Sequence, residues 1–123
     1  MVIVDSSGWI EYFTDGPLAS AYAKHLKVLT EVVTPTIVLY EVYKKIKRER
    51  SEEDALSATS VMHRTTVVPL NESIALLAAD LSLKHNLPMA YAMVYATAIE
   101  QQCPLITSDS HFKDLANVTY LGK

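Results

Sequence analysis

Cysteine is nearly absent: Cys103 stands alone among 123 residues, so no disulfide can form within the chain. That usage suits a reducing compartment and predicts a cytoplasmic protein. Glycine is scarce too, with three residues, and neither a GxxxxGK[ST] loop nor a GxGxxG turn occurs. Without such loops there is no backbone cradle for the phosphates of a nucleotide cofactor. The four histidines (His25, His63, His85, His111) show no ligand spacing and read as surface residues, and Cys103 reads as core packing. No apolar run reaches the roughly 20 residues that a bilayer crossing takes. Met1–Val4 meets Asp5 at once, with no basic segment before it, and does not read as a secretion signal. Positive charge is not in excess either. The net charge is −3, so affinity for a polyanion has to come from a local patch.

What is present describes a globular chain. Half the residues are hydrophobic and a fifth are charged, and the length suits one domain, residues 1–123, with a real core. Short β-branched runs at Met1–Val4, Val32–Pro35, Thr65–Leu70, Pro104–Thr107 and Val118–Leu121 read as buried strands. Between them lie helical patterns. Asp5 to Gly8 supplies capping residues for a helix through Trp9, Ile10 and Phe13. Leu18, Tyr22, Leu26 and Leu29 make Pro17–Thr30 an amphipathic helix. Thr36 caps a helix to about Arg50, Ser51 opens the next, and Asn71 caps one to about Asn86. From Met89 to Ile99 there is neither charge nor glycine, which predicts a central helix buried on every side. A short helical turn is expected over Ser108–Leu115. Strands alternating with helices predict an α/β fold, a three-layer α/β/α sandwich around a mostly parallel sheet.

Ligands of such sheets bind beyond the carboxyl ends of the strands. Two strands end in carboxylates, at Asp5 and at Asp109. Each could be a simple helix cap, but one sheet brings both to the same end. Glu41 is the third candidate. It lies about 60° around its helix from Val38, inside the apolar arc that Val42 and Ile46 extend on the other side. A carboxylate there needs a partner, either Lys45 four residues on or a shared cation site. Three converging carboxylates without thiolate or imidazole select a hard ion, Mg²⁺ or Mn²⁺, and such ions bind phosphates and activate water against them. The same helix continues with five of the 11 basic residues. Lys44, Lys45 and Arg48 fall on the side of Glu41, either as a solvated face or as contacts to a polyanion backbone. Leu39, Tyr40 and Tyr43 fall on the other side, which predicts a partner interface.

Four segments carry a resemblance: Val2-Ile3-Val4-Asp5-Ser6-Ser7, Val38-Leu39-Tyr40-Glu41-Val42, Leu87-Pro88-Met89-Ala90-Tyr91-Ala92 with Tyr95-Ala96-Thr97-Ala98, and Leu105-Ile106-Thr107-Ser108-Asp109 with Phe112. In this order and spacing the whole chain resembles the PIN-domain ribonucleases, and closely the VapC-type toxins of toxin–antitoxin pairs. The resemblance implies a Mg²⁺-dependent (or Mn²⁺-dependent) endonuclease that cuts RNA, is held inactive by a cognate antitoxin and forms a homodimer. It implies Asp5 and Asp109 as metal ligands and Glu41 as a ligand or as the group that orients the attacking water. Thr107 would orient Asp109, Ser6 would hydrogen-bond in the site, and Lys44, Lys45 and Arg48 would meet the RNA. The apolar faces of Pro17–Thr30 and of the Glu41 helix would receive antitoxin or a second protomer. The pattern has four acids, and its fourth position is held here by Tyr91. A phenol with a reference pKa of about 10 brings no negative charge at neutral pH. The expectation is an impaired site, with a catalytically inactive antitoxin-binding or autoregulatory partner as the competing reading.

Overall fold

The computed structural model describes residues 1–122. Five short strands build one parallel sheet: β1 (Val2–Val4), β2 (Val32–Pro35), β3 (Thr66–Val68), β4 (Leu105–Thr107) and β5 (Val118–Tyr120). Their spatial order is β3-β2-β1-β4-β5. The helices are α1 (Ser6–Phe13), α2 (Ala19–Ala23), α3 (Thr36–Glu49), α4 (Glu52–Met62), α5 (Glu72–His85) and α6 (Met89–Glu100). The strand order runs outward from β1 to β3, then jumps back to β4. Right-handed connections therefore assign α1–α4 to one face and α5 and α6 to the other. This is the expected α/β sandwich.

Local chemistry sets the boundaries. Ser51 Oγ accepts from the Asp54 backbone N–H at 3.0 Å, and Asn71 Oδ1 accepts from that of Ile74 at 2.9 Å, so both caps fall where their side chains predict. Asn86 closes α5 in a left-handed conformation, φ 55°. Ile3, Val4, Leu105 and Ile106 are buried on both faces of the central strands, which explains why these runs lack polar alternation. Cys103 is buried between the end of α6 and β4, as core packing.

Two elements depart from expectation. The Pro17–Thr30 helix shrinks to the five residues of α2, followed by a single 3₁₀ turn at Leu29–Glu31. After Tyr22 the backbone closes bonds over three residues, His25 to Tyr22 and Leu26 to Ala23, and this tightening ends the helix while tucking Leu26 into the core. The apolar helix α6 is not buried on every side. Val94 to Ala98 are enclosed, but Met89 is exposed and Ala90, Tyr91 and Met93 are half-buried. Its first turn lines the mouth of a cleft, where Ala90 and Tyr91 face open space.

Candidate active site

The order reversal leaves a crevice beyond the carboxyl ends of β1 and β4, the place where open parallel sheets bind ligands. A cleft of about 450 Å³ opens there, lined by Asp5, Ser6, Glu41, Tyr91 and Asp109 and flanked by Lys44, Lys45 and Arg48. Eight of the nine residues expected at the site are thus brought together. The ninth, Thr107, expected at the substrate, is fully buried beneath it.

Asp5 leaves the end of β1 as the cap of α1. Its Oδ1 accepts from the Gly8 backbone N–H at 2.9 Å. Its Oδ2 accepts from Ser7 Oγ at 2.9 Å and from Thr107 Oγ1 at 2.5 Å. The register makes this last bond inevitable. Val4 pairs with Ile106, so Asp5 and Thr107 are the next residues on adjacent parallel strands. The Thr107 hydroxyl also accepts from the Asp109 backbone N–H at 3.0 Å. Thr107 therefore fixes the Asp5 carboxylate directly and Asp109 through its backbone, not through the Asp109 side chain. Burial pushes the Asp5 carboxyl above the usual 3.8, and the nearby Asp109 charge adds to this, against the pull of its three donors.

Glu41 enters from α3. Lys45 does not neutralise it: Lys45 turns toward Glu49, 3.9 Å away, and among the described residues Glu41 joins no ion pair. Burial raises its pKa, the Ser6 hydroxyl opposes this, and the charges of Asp5 and Asp109 raise it further. Two carboxylates with pKa values driven up by burial and mutual repulsion mark a cleft suited to positive charge.

Asp109 is arranged differently. Its Oδ1 accepts from the His111 backbone N–H at 2.9 Å and meets the His111 ring nitrogen Nδ1 at 2.8 Å. Its Oδ2 accepts from the Tyr91 hydroxyl at 3.0 Å. Burial acts to raise its pKa, but the His111 N–H, the His111 ring and Tyr91 together bring it below the usual value. Tyr91 lies flat against His111, ring centroids 4.1 Å apart, and meets Phe112 edge-on. Burial, the bond to Asp109 and the three carboxylates push the Tyr91 phenol up to about 12, so it stays protonated.

Every oxygen of Asp5 and Asp109 is thus engaged by the protein itself. Among the described residues no three Asp, Glu, His or Cys side chains close around a point that could hold an ion. The carboxylates share a cleft, and among the described residues they do not close around a single point.

Two groups escaped sequence reasoning. His111 is no idle surface residue; the Asp109-x-His111 spacing, which closes a one-turn Asx bond, was its available signal. Tyr40, expected on a partner face, lines the cleft instead.

The chain belongs to the PIN domain family, whose model matches residues 2–118. This is a family of nucleases that generally use divalent metal ions. The fold is similar to that in a toxin–antitoxin complex from Klebsiella pneumoniae, with TM-score 0.82 and 19% identity over 97% of this chain and 96% of that one. It is similar to VapBC2 from Rickettsia felis bound to a promoter DNA fragment, with TM-score 0.78 and 15% identity over 99% and 98%. It is also similar to VapC20 of Mycobacterium tuberculosis, a toxin that cleaves the sarcin–ricin loop, with TM-score 0.69 and 18% identity over 83% and 84%. No curated protein sequence matches the chain.

Proposed function

We propose that this chain is a type II toxin–antitoxin ribonuclease whose metal site is impaired by Tyr91. The observation that carries the reading is the Tyr91–Asp109 bond inside a cleft shared by Asp5, Glu41 and a wall of lysine and arginine. The wall and the cleft suit an RNA backbone; the hydrogen-bonded phenol stands where the related motif has an acid. Lys44, Lys45 and Arg48 bind phosphates, while Asp5, Glu41 and Asp109 are the groups toward which Mg²⁺ or Mn²⁺ would be drawn in a chain with the fourth acid. Among the described residues the present donor set does not enclose such an ion.

The partner proposed is a cognate antitoxin, supported by the toxin–antitoxin complexes among structures of this fold. A groove lined by Phe13, Ile46, Ala58 and Val61, with Arg50 and Asp54 beside them, is suited to an antitoxin segment or to a second protomer of a homodimer. No described helix is long and apolar enough to cross a membrane. The compartment proposed is the cytoplasm, where an RNA substrate would be met.

The test compares the chain with Tyr91→Asp on a structured RNA, with Mg²⁺ and with EDTA. Cleavage by the variant alone, abolished by EDTA, supports the reading. Equal cleavage by both shows that Tyr91 does no harm. Cleavage by neither, with tight antitoxin binding by both, favours the second reading that Tyr91 itself motivates: an inactive antitoxin-binding, autoregulatory protein.

A further inference from the structure

We infer that Tyr40 is a base-stacking platform for single-stranded RNA at the mouth of the cleft. The inference takes its ligand class from the ribonuclease reading and adds a residue that reading does not use.

Tyr40 lies one residue before Glu41 on α3, and its side chain lines the same cleft as Asp5, Glu41 and Tyr91. It is 57% exposed, whereas the Tyr91 ring is already stacked on His111 and met edge-on by Phe112. Tyr40 is therefore the ring of the cleft with a face to offer. Lys44, one helical turn on, sits over one face of the ring, its Nζ 3.3 Å from the Tyr40 hydroxyl and 5.5 Å from the ring centroid. Among the described residues Lys44 pairs with no carboxylate, so its charge stays available beside the ring. Lys45 and Arg48 line the same cleft further along α3 and meet Glu49 at 3.9 Å and 3.1 Å.

An exposed aromatic ring with cations spaced along one side is the arrangement that binds single strands. Phosphates follow the cations while a base stacks on the ring, largely independent of sequence. A duplex keeps its bases inside and offers the ring nothing. A protein partner fits this place less well. The cleft that Tyr40 lines carries Lys44, Lys45, Arg48 and four carboxylates among its residues, while a more apolar groove lies elsewhere, lined by Phe13, Ile46, Ala58 and Val61 with Arg50 and Asp54.

The test is fluorescence anisotropy with a short labelled single-stranded RNA and with the matching RNA duplex, in EDTA so that binding is read without cleavage. The full chain, Tyr40→Ala, Tyr40→Phe and Lys44→Ala are compared across a salt series. Tyr40→Ala should weaken single-strand binding about ten-fold, leave duplex binding unchanged and keep the salt slope, since no phosphate contact is lost. Tyr40→Phe should bind like the parent. Lys44→Ala should weaken both RNAs and flatten the salt slope. Parent-like single-strand binding by Tyr40→Ala overturns the platform while leaving the ribonuclease reading intact. Loss of self-association or antitoxin binding in Tyr40→Ala, with RNA binding intact, also overturns it and assigns Tyr40 to a protein interface. No RNA binding by the parent removes the platform and the ribonuclease reading together.

Discussion

The Tyr91 hydroxyl donates to Asp109 Oδ2 at 3.0 Å, and this bond occupies an oxygen of a carboxylate that lines the cleft. The phenol is held protonated, with a pKa of about 12, so position 91 brings a donor into a ring of acceptors. The cleft satisfies its own carboxylate instead of presenting it.

Replacing Tyr91 by Asp should exchange internal satisfaction for ion affinity. In EDTA the variant places a further carboxylate beside three others, and it should lose about 1–2 kcal/mol of stability. Adding Mn²⁺ should restore that loss, because a ligand that binds only the folded state raises its stability. Tyr91→Phe frees Asp109 without adding charge and should show no such recovery. Urea melts of the three proteins, with and without Mn²⁺, read the difference. Equal Mn²⁺ response in all three would defeat the expectation.

Thr107→Val tests the clamp between the central strands. It preserves shape in a fully buried position but removes the hydroxyl that donates to Asp5. Hydrogen bonds to charged groups contribute roughly 1.5–3 kcal/mol, and a loss of that size is expected at neutral pH. Combined with Asp5→Asn the further loss should be smaller, as the charge that needs the donor is gone. A double-mutant cycle by chemical denaturation measures the coupling.

The acid response should be biphasic. Asp5 and Glu41 have folded-state pKa values raised above 3.8 and 4.5, so the folded state favours their protonated forms. Their contribution is fully present below those usual values and is lost as pH rises through the folded values. Asp109 has the opposite sign: its lowered pKa gives stability above 3.8 that is lost as pH falls through its folded value. The melting temperature should therefore climb as pH drops through the raised folded values of Asp5 and Glu41 and fall again below 3.8 as Asp109 is protonated. Glu41→Gln should flatten the climb and leave the acid fall. A monotonic decline from neutral pH in the parent would contradict this.

Gly8→Ala should destabilise although Gly8 sits in the first turn of a helix. A Cβ there would stand 2.4 Å from Tyr22 Cε1 and 2.7 Å from Val4 Cγ1, and both neighbours are enclosed. Overpacking of this kind costs about 1–3 kcal/mol. It would also disturb the Gly8 N–H that the Asp5 side chain caps. Thermal melts of the single variant suffice; an unchanged melting temperature would show that Tyr22 yields freely.

Much of this site was legible before the fold. Asp5 and Asp109 are found from β-branched runs that stop at an acid, because a parallel sheet puts such stops at one end. Glu41 is found from helical spacing, because the positions of Val38, Val42 and Ile46 fix the buried side of α3. Tyr40 was misplaced by the same arithmetic. The wheel sets it about 100° from Glu41 but only about 40° from Lys44, four residues on, and grouping it with Leu39 and Tyr43 overlooked that neighbour. His111 was missed because its role depends on a one-turn closure at Asp109, not on ligand spacing. The early end of α2 follows from three-residue backbone bonds that its apolar stripe does not encode. The strand order has no counterpart in the runs themselves, which are all short and β-branched.

Cys103 gives the molecule a built-in clock. It is the chain's one thiol, buried at the junction of α6 and β4, with burial pushing its pKa up. A thiol reagent can reach it only when that junction opens, so labelling speed reports how often the α6–β4 junction opens. The helix that carries Tyr91 and the strand that leads to Asp109 thus share a chemical stopwatch, readable without introducing a probe.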